Sequence, residues 1–294
     1  MNEKKMILLK TELKKMLHKK SFHFFILFGC ILAVLTVAWA YKNMYIPNEK
    51  LRLDILERAD SVFIQHHEWF EASILQGWLG YELYSPYNTV FFLLFPLLAA
   101  APYGYSLHYE LNSGYAKQIL AKCRRQDYFT SKFAAVFISG GITVAVPLLF
   151  GLIVAACFFP AVSIDPMSLQ SNINPANLWV DLFYEKPVLY ALAYTGIDFV
   201  YGGLFACMAL AISGWCANGF LAVVFPFILN TAFTKVISFA FFGIHDYVAG
   251  NLINPQQGFG FQFGLATVAT VAAGMLLTCI GIYWLNNRKY DVLE

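Results

Sequence analysis

Charged and aromatic side chains that could bind a protein partner gather in one short segment, residues 109–132. An acidic residue and a glycine come first, two aliphatic residues follow, and basic residues surround a tyrosine at the end: Glu110, Gly114, Ile119, Leu120, Arg124, Arg125, Tyr128 and Lys132. Gly114 is suited to break a helix, because a residue without a Cβ adopts the left-handed conformation at little cost. A short helix after this break, with Ile119 and Leu120 on one face, has little reason to be ordered unless another protein docks on it. The spacing therefore predicts a docking segment.

Three polar residues inside otherwise apolar stretches form a second candidate site. Asp198 lies midway along one stretch, and Asn230 and Lys235 lie in the next. Ionisable side chains inside a membrane are costly and usually face a partner or a water-filled cavity. We therefore predict that Asp198 pairs with Lys235 across neighbouring helices. The pair could line a substrate path or simply fix the two helices, and Lys235 could instead extend toward the outer membrane surface.

Motifs of catalysis and metal binding are absent from the sequence. The run 66–68 (His-His-Glu) lacks the HExxH spacing, and adjacent histidines point in different directions on a helix. The six cysteines form no CxxC pattern, which argues against a zinc site or a disulfide framework. No GxSxG motif and no phosphate-binding GxxxxGK(S/T) loop occurs. We therefore expect no catalytic, cofactor-binding or metal-binding residues in this chain.

The elements that must position the candidate residues are membrane-spanning helices. The chain has 294 residues, of which 59% are hydrophobic and 13% charged, and its mean hydropathy is +0.58. Soluble domains average about 25% charged residues. The composition therefore excludes a soluble enzyme, a secreted disulfide scaffold and a nucleic-acid-binding protein. It predicts an all-α polytopic membrane protein whose single transmembrane domain covers residues 1–294.

A helix needs about 20 mostly apolar residues to cross the bilayer core, and six stretches meet or approach this length. They are residues 22–41, 89–105, 133–159, 188–213, 219–242 and 263–285. The second is short and holds two prolines, Pro96 and Pro102. The fourth and fifth are separated only by residues 214–218, which leaves room for a tight turn. The first resembles a signal peptide, but the long Lys-rich segment before it favours a retained helix.

Basic residues are distributed unequally between the two sides of the predicted membrane. Seven lysines precede the first span, five Lys and Arg residues lie between the second and third spans, and two follow the last. One side therefore holds fourteen of the twenty basic residues. Because cytoplasmic loops are enriched in Lys and Arg, this pattern predicts that both termini are cytoplasmic. Six spans agree with that parity.

Three segments outside the spans have patterns of their own. Residues 1–21 predict an amphipathic elbow helix in the cytoplasmic membrane interface. Its apolar residues recur at three- and four-residue steps: Met6, Leu9, Leu13, Met16 and Leu17. Residues 42–88 are too long for a simple connection and predict one or two external helices, packed on the membrane surface or on each other. Residues 243–262, rich in Gly, Asn, Pro and aromatic residues, predict either short helices that re-enter the outer leaflet or a plain exposed loop.

The segment 106–132 resembles the corresponding segment of ABC-2 type transporter permeases, the family with the type V exporter fold, and looks most like those of Gram-positive bacteria. In that family, the segment after the second span holds an acidic residue, a glycine, a short coupling helix, an Arg, an aromatic or aliphatic residue and a Lys. The matching residues here are Glu110, Gly114, Arg125 (or Arg124), Tyr128 and Lys132. The elbow helix, the six spans and the re-entrant outer segment also resemble the family's layout. The sequence departs from the family at Tyr115, where a Thr or Ser is usual.

The resemblance implies that the chain is the permease subunit of an ATP-binding cassette transporter in a bacterial cell membrane. A separate ATPase dimer, which would hold the ATP and Mg²⁺, would dock on the elbow helix and on the coupling segment 106–132. A second permease subunit, identical or homologous, would complete the transporter, with membrane lipid around it and no nucleic acid. The sparse charges of the spans favour export of an amphipathic or apolar compound, such as an antimicrobial peptide or a drug.

Two other functions are compatible with the sequence. A secondary carrier would move its substrate without an ATPase, although carriers usually show internal repeats or matching broken helices. An immunity or sensor protein would capture a peptide on the outer loop 42–88 and transport nothing. A tightly bound ATPase subunit would favour the permease over the carrier, and ATP-dependent movement of a substrate would exclude the capture protein.

Overall fold

The regular structure of the protein is helical in the part of the chain that the structure describes. The structure is a computed structural model that describes residues 3–57, 72–81, 85–167, 173, 175–216, 218–237, 247–255 and 264–288. Every regular element within these ranges is helical, and five helices among them are long and apolar enough to cross a membrane. The chain is therefore an all-helical membrane protein that crosses the membrane several times, as its composition predicts.

The helices are numbered in chain order. They are α1 (Glu3–His18), α2 (Lys20–Ala40), α3 (Ile46–Glu57), α4 (Ile74–Gly77), α5 (Pro86–Ala100), α6 (Ser106–Asn112), α7 (Tyr115–Leu120), α8 (Arg125–Ala156), α9 (Val180–Glu185), α10 (Pro187–Ile212), α11 (Gly219–Ala232), α12 (Ala249–Leu252) and α13 (Leu265–Arg288). Two π-helical segments, Tyr41–Tyr45 and Phe233–Ile237, continue α2 and α11.

The first membrane helix is longer than the sequence predicts. α2, the π-helical turn Tyr41–Tyr45 and α3 form one continuous helix of 38 residues, Lys20–Glu57. The wider π turn lies just before Pro47, whose ring removes an amide donor and crowds the carbonyl group four residues earlier. Widening the backbone there lets the helix continue past the proline. The helix therefore continues from the first predicted span into the predicted outer loop, and the residue at which it leaves the membrane stays a prediction.

The second predicted span, residues 89–105, corresponds to a shorter helix. α5 has 15 residues with Pro96 inside it, and turns follow at residues 101–105. Length and composition therefore support five membrane-crossing helices in the described ranges, and the sixth span stays a prediction. α10 and α11 are separated by residues 213–218, close to the tight connection that the sequence predicts.

One described part of the predicted outer loop, residues 72–81, packs into the bundle rather than on its surface, whereas α3 has no buried residue. Residues 72–81, which include α4, are buried, and α4 packs against α2, α8 and α10. The indole N–H of Trp78 donates a hydrogen bond to the carbonyl oxygen of Leu148 on α8 at 3.0 Å. Packing on the membrane surface is therefore wrong for this stretch, because its apolar side chains complete the core. Residues 66–68 lie outside the described residues.

Residues 247–255 are the described part of the segment 243–262. They contain the one-turn helix α12, and Leu252 and Ile253 are buried against the bundle. A short helix is thus present in the middle of this segment. The rest of the segment lies outside the described residues, so its position relative to the outer leaflet stays a prediction.

α8 and α10 form the centre of the bundle, with more contact to each other than any other pair of described helices. They approach closely at Gly140 and Gly202, where a Cβ on Gly140 would collide with the carbonyl oxygen of Gly202. Small residues permit such close approach of helices in a membrane. At one end the apolar core gives way to charged residues from α1, α6 and α8. We call this the α1 end of the bundle.

Candidate functional site

α1 is a separate helix that lies along the first turns of α8. The extended backbone of Lys19 (φ −75°, ψ 126°) turns the chain before α2 begins. Met16 is buried, and Leu9 and Leu13 are partly buried in the same apolar cluster. Leu17, which the sequence pattern places with them, is half exposed. α1 therefore packs on the protein through most of its predicted apolar face.

A cluster of four charged side chains, three of them buried and Lys15 partly exposed, lies between α1, α6 and α8. The Lys132 ammonium group of α8 contacts Glu12 Oε2 at 2.7 Å and Glu110 Oε1 at 2.8 Å, and Lys132 has no exposed surface. Lys15 of α1 contacts the same two carboxylates, at 2.6 Å from Glu12 Oε1 and 3.1 Å from Glu110 Oε1. The two carboxylates and the two ammonium groups thus balance in charge. We call Glu12, Lys15, Glu110 and Lys132 the charge cluster.

Two tyrosines complete the hydrogen bonding of the charge cluster. The Tyr103 hydroxyl donates to Glu12 Oε2 at 2.8 Å, and the Tyr128 hydroxyl donates to Glu110 Oε2. Each of the four carboxylate oxygens therefore accepts at least one hydrogen bond. Buried ion pairs need such complete hydrogen bonding, because both charges have lost water. Removing one partner of a buried pair typically costs about 3–5 kcal/mol.

The charge cluster holds two of its members in their ionised forms. Burial by itself raises the pKa of Glu12, but the charges and hydrogen bonds of Lys132 and Lys15 outweigh it, so the pKa lies below its usual value. Burial lowers the pKa of Lys15, yet its hydrogen bonds and its attraction to both carboxylates raise that pKa above its usual value. Neither group therefore changes charge near neutral pH.

A cleft of about 480 Å³ opens beside the charge cluster. Its lining combines basic, acidic and aromatic side chains: Lys15, Lys19, Tyr109, Glu110, Tyr115 and Gln118. The Lys19 ammonium group lies 4.8 Å from the ring centroid of Tyr103 and 4.3 Å from that of Tyr105. Burial and the positive charge of Lys132 lower the pKa of Lys19 to about 8. The cleft is thus a polar recess with aromatic walls that could receive a side chain of a docked protein.

α7 is a short helix whose start is set by Gly114. The backbone of Gly114 is left-handed (φ +74°), and α6 ends just before it, where the sequence predicts a break. Ile119 and Leu120 are half-buried against the apolar cluster beneath α1 and α8, whereas Lys117 and Gln118 are exposed. α7 is therefore held to the bundle by its apolar side and presents a polar side outward.

Three of the predicted docking residues meet in one place, and the two arginines do not. Glu110, Tyr128 and Lys132 are in contact within and beside the charge cluster. Arg124 is exposed immediately before α8 begins, and Arg125 lines a separate groove between α8 and α13. The sequence pattern that groups all five residues therefore combines two different surfaces.

Sequence reasoning missed Glu12, which is the central acidic residue of the cluster on α1. Glu12 follows Leu9 by three residues and precedes Met16 by four, so it lies on the apolar face of the helix. An acidic residue on an apolar face indicates a buried partner, and this signal could have identified it. Its partner Lys132 is 120 residues away in the sequence, so the pattern of α1 cannot specify it.

The ion pair predicted for the second site does not form. Asp198 on α10 is completely buried, and neither carboxylate oxygen has a hydrogen-bond partner among the described residues. Lys235 is exposed in the π-helical end of α11. The predicted pairing is therefore wrong, because α11 is mostly exposed and Lys235 is on its outer side. Asn230 is half-buried and lines a pocket of about 190 Å³ between α10, α11, α12 and α13.

Comparisons of the chain with protein-family models, with curated proteins and with solved structures find no match. The described structure therefore defines the chain only as a helical membrane protein that holds the charge cluster at its α1 end. Its function must therefore be argued from the residues and geometry of the charge cluster and of α7.

Proposed function

We propose that the chain is the permease subunit of an ATP-driven transporter of the ABC-2 type, with its α1 end in the cytoplasm of a bacterial cell. The observation that carries this proposal is the charge cluster, because it joins three elements at that end. Glu12 and Lys15 belong to α1, Glu110 to α6 and Lys132 to α8. α7 follows α6 directly, so a force applied to α7 reaches α1 and α8 together.

α8 is the element that would carry this force into the membrane. It has 32 residues, which corresponds to a length of ~48 Å, more than the ~30 Å of the bilayer core. Its contacts with α2 and α10 connect it to the rest of the bundle. Elements joined by a fully hydrogen-bonded buried ion pair move as one body, because separating the charges costs several kcal/mol. Movement of a docked ATPase would therefore shift α1, α7 and α8 as a unit.

The outward side of α7 and the adjacent cleft are the surface that we assign to the ATPase. Lys117 and Gln118 are exposed there, and Tyr109 is about two-thirds exposed beside the cleft. In this proposal an ATPase dimer holds ATP and Mg²⁺, and a second permease, identical or homologous, completes the transporter. The transported compound is amphipathic or apolar, such as an antimicrobial peptide or a drug.

A photo-crosslinking amino acid placed at Gln118 tests the proposal. Gln118 is exposed on α7 and lines the cleft. The matched control is Leu53, which is exposed on α3 near the C-terminal end of the continuous helix Lys20–Glu57. In membranes of the native host, we expect capture of a subunit with an ATPase phosphate-binding loop from Gln118 and not from Leu53. Capture of no nucleotide-binding subunit from Gln118, or equal capture from both positions, would contradict the proposal.

Reconstitution supplies the second measurement. The chain and the captured ATPase, placed together in vesicles, are expected to move an amphipathic substrate only with hydrolysable ATP. Lys132→Met should weaken the coupling of ATP hydrolysis to transport, because it removes the ion pair that joins α6 to α8 and leaves the hydrogen bond of Tyr128 to Glu110. ATP hydrolysis without any substrate movement by the unaltered complex would contradict the transport function and leave the docking intact.

A secondary carrier is the second candidate, and Asp198 favours it. A completely buried carboxyl group without a hydrogen-bond partner in the described chain is the kind of group that carriers use to bind and release protons. A carrier would accumulate substrate in response to a pH gradient in the absence of ATP, and Asp198→Asn would abolish that accumulation. Transport that needs ATP and is unchanged by Asp198→Asn would exclude the carrier.

A further inference from the structure

A groove of about 520 Å³ lies between the first turns of α8 and the last turns of α13. Phe129, Phe133 and Tyr283 form its floor: the Tyr283 ring contacts both phenylalanine rings, and its hydroxyl donates to the Phe129 carbonyl oxygen at 3.2 Å. Ile280 and Trp284 of α13 form one wall, and each is about half exposed. The groove is therefore apolar along most of its length and open at the side.

Arg125 supplies the charge of this groove. Its guanidinium carbon lies 5.8 Å from the Phe129 ring centroid, and its Nη2 atom is buried without a hydrogen-bond partner among the described residues. The residues that line the groove include no carboxylate in the part of the chain described. A buried polar nitrogen costs free energy unless a partner or a ligand satisfies it. Arg125 is thus placed to bind an anion at the end of an apolar channel.

The groove lies at the level where the bilayer surface meets the protein. α8 is longer than the hydrocarbon core, and its first residues, 125–132, are mostly polar, so the helix begins outside the core. Tyr283 and Trp284 line the groove beside these turns, and such side chains concentrate at membrane interfaces. An acyl chain along Phe133 and Ile280 would therefore enter the core while its headgroup stays beside Arg125.

We propose that the groove binds an anionic phospholipid of the leaflet at the α1 end, with the lipid phosphate on Arg125 and an acyl chain on Phe129, Phe133 and Ile280. Charge complementarity selects the lipid class: a guanidinium group without a carboxylate partner among the described residues favours a headgroup with net negative charge over a zwitterionic one, whose own cation competes for the phosphate. The bound lipid would hold α13 against α8 close to the charge cluster. The proposal stands independently of the transport function.

Native mass spectrometry of the purified full-length chain tests this site with phosphatidylglycerol and phosphatidylcholine as probes. The unaltered protein should bind phosphatidylglycerol more tightly, and Arg125→Gln should weaken that binding about fivefold, the effect of one Arg near an anionic lipid. Arg124→Gln is the matched control, because Arg124 is exposed and does not line the groove, and it should change binding less than twofold. Equal effects of the two substitutions would overturn the proposal, since the lipid would then respond to general surface charge.

Thr130→Trp tests the apolar part of the groove while keeping Arg125. Thr130 is exposed and lines the groove, so a large ring there should fill it and lower phosphatidylglycerol binding at least as much as Arg125→Gln. Unchanged binding, or displacement of the lipid by glycerol phosphate at equal concentration, would overturn acyl-chain recognition. A loss of dimer on Arg125→Gln in protein that binds no lipid would make the groove a contact between two copies instead. Circular dichroism of each variant identifies any that fails to fold.

Discussion

The two sites with buried carboxyl groups in the described part of the chain differ in what surrounds them. Glu12 and Glu110 lie between two ammonium groups and two tyrosine hydroxyls at the α1 end. Asp198 is buried as completely on α10, but its oxygens have no hydrogen-bond partner in the described part of the chain. Burial removes water from both sites, and only the first recovers the loss through contacts. Burial alone therefore does not define a coupling site: the charge cluster joins three elements, whereas Asp198 makes no such contact within the described residues.

The largest expected effect comes from Lys132→Met, which would leave Glu12 and Glu110 in a buried site with Lys15 alone. We expect the free energy of unfolding to fall by about 3–5 kcal/mol, the usual cost of removing one partner of a buried pair. Chemical unfolding in detergent micelles measures this change. Lys14→Met is the control, because Lys14 is exposed on the same α1 helix that holds Glu12, and it should have little effect. Equal losses of unfolding free energy in the two variants would show that the ion pairs of Lys132 add no more to stability than an exposed lysine does.

Tyr128→Phe removes one hydroxyl from the charge cluster and keeps all four charges. We expect a loss of about 1.5–3 kcal/mol in unfolding free energy, because the hydroxyl donates to the ionised Glu110 carboxylate and the ring keeps its packing. Tyr109→Phe is the matched control, since Tyr109 is about two-thirds exposed. If the two phenylalanine variants unfold at the same denaturant concentration, the hydrogen bond from Tyr128 to Glu110 does not stabilise the folded protein.

Lys19 allows a pH test of the α1 end. Its pKa is about 8 in the folded protein and 10.5 when unperturbed, so the unfolded chain binds more protons between these values. Stability should therefore rise with pH from about 8 to 10.5, by at most ~1.4 kcal/mol per pH unit, relative to Lys19→Met. Thermal unfolding of both proteins across this window gives the difference. Parallel curves would mean that burial does not penalise the Lys19 charge.

The smallest change is expected from Asp198→Asn, at the buried carboxyl group outside the charge cluster. With no partner to lose in the described chain, the substitution should alter the unfolding free energy by less than about 1 kcal/mol. Glu110→Gln is the matched change in the charge cluster and should cost several times more, because it removes an ionised partner of Lys132 and Lys15. Similar losses at the two sites would indicate that Asp198 has an ionic partner after all.

The segment 106–132 shows which structural features can be predicted from neighbouring residues in the sequence. The break at Gly114 and the short helix after it depend on neighbouring residues, and the structure places both where the sequence predicts them. The contact of Lys132 with Glu12 depends on how α1 lies on α8. The pattern of the segment groups Arg125 with Lys132, although Arg125 lines the groove between α8 and α13 and Lys132 lies in the charge cluster. The sequence therefore predicts the local backbone structure of this segment, but it does not predict which residues of other helices contact it.

The sequence alone indicates the class of protein, the approximate position of most spans and the helix break at Gly114. These features follow from hydropathy and backbone freedom, which are properties of short stretches. The tertiary structure was needed to establish that residues 72–81 lie in the core, that Asp198 and Lys235 do not pair, and that Lys132 lies between two carboxylates. Each of these features depends on which helix faces pack together. The spacing of apolar residues shows which side of a helix is buried, but it does not show which other helix packs on that side.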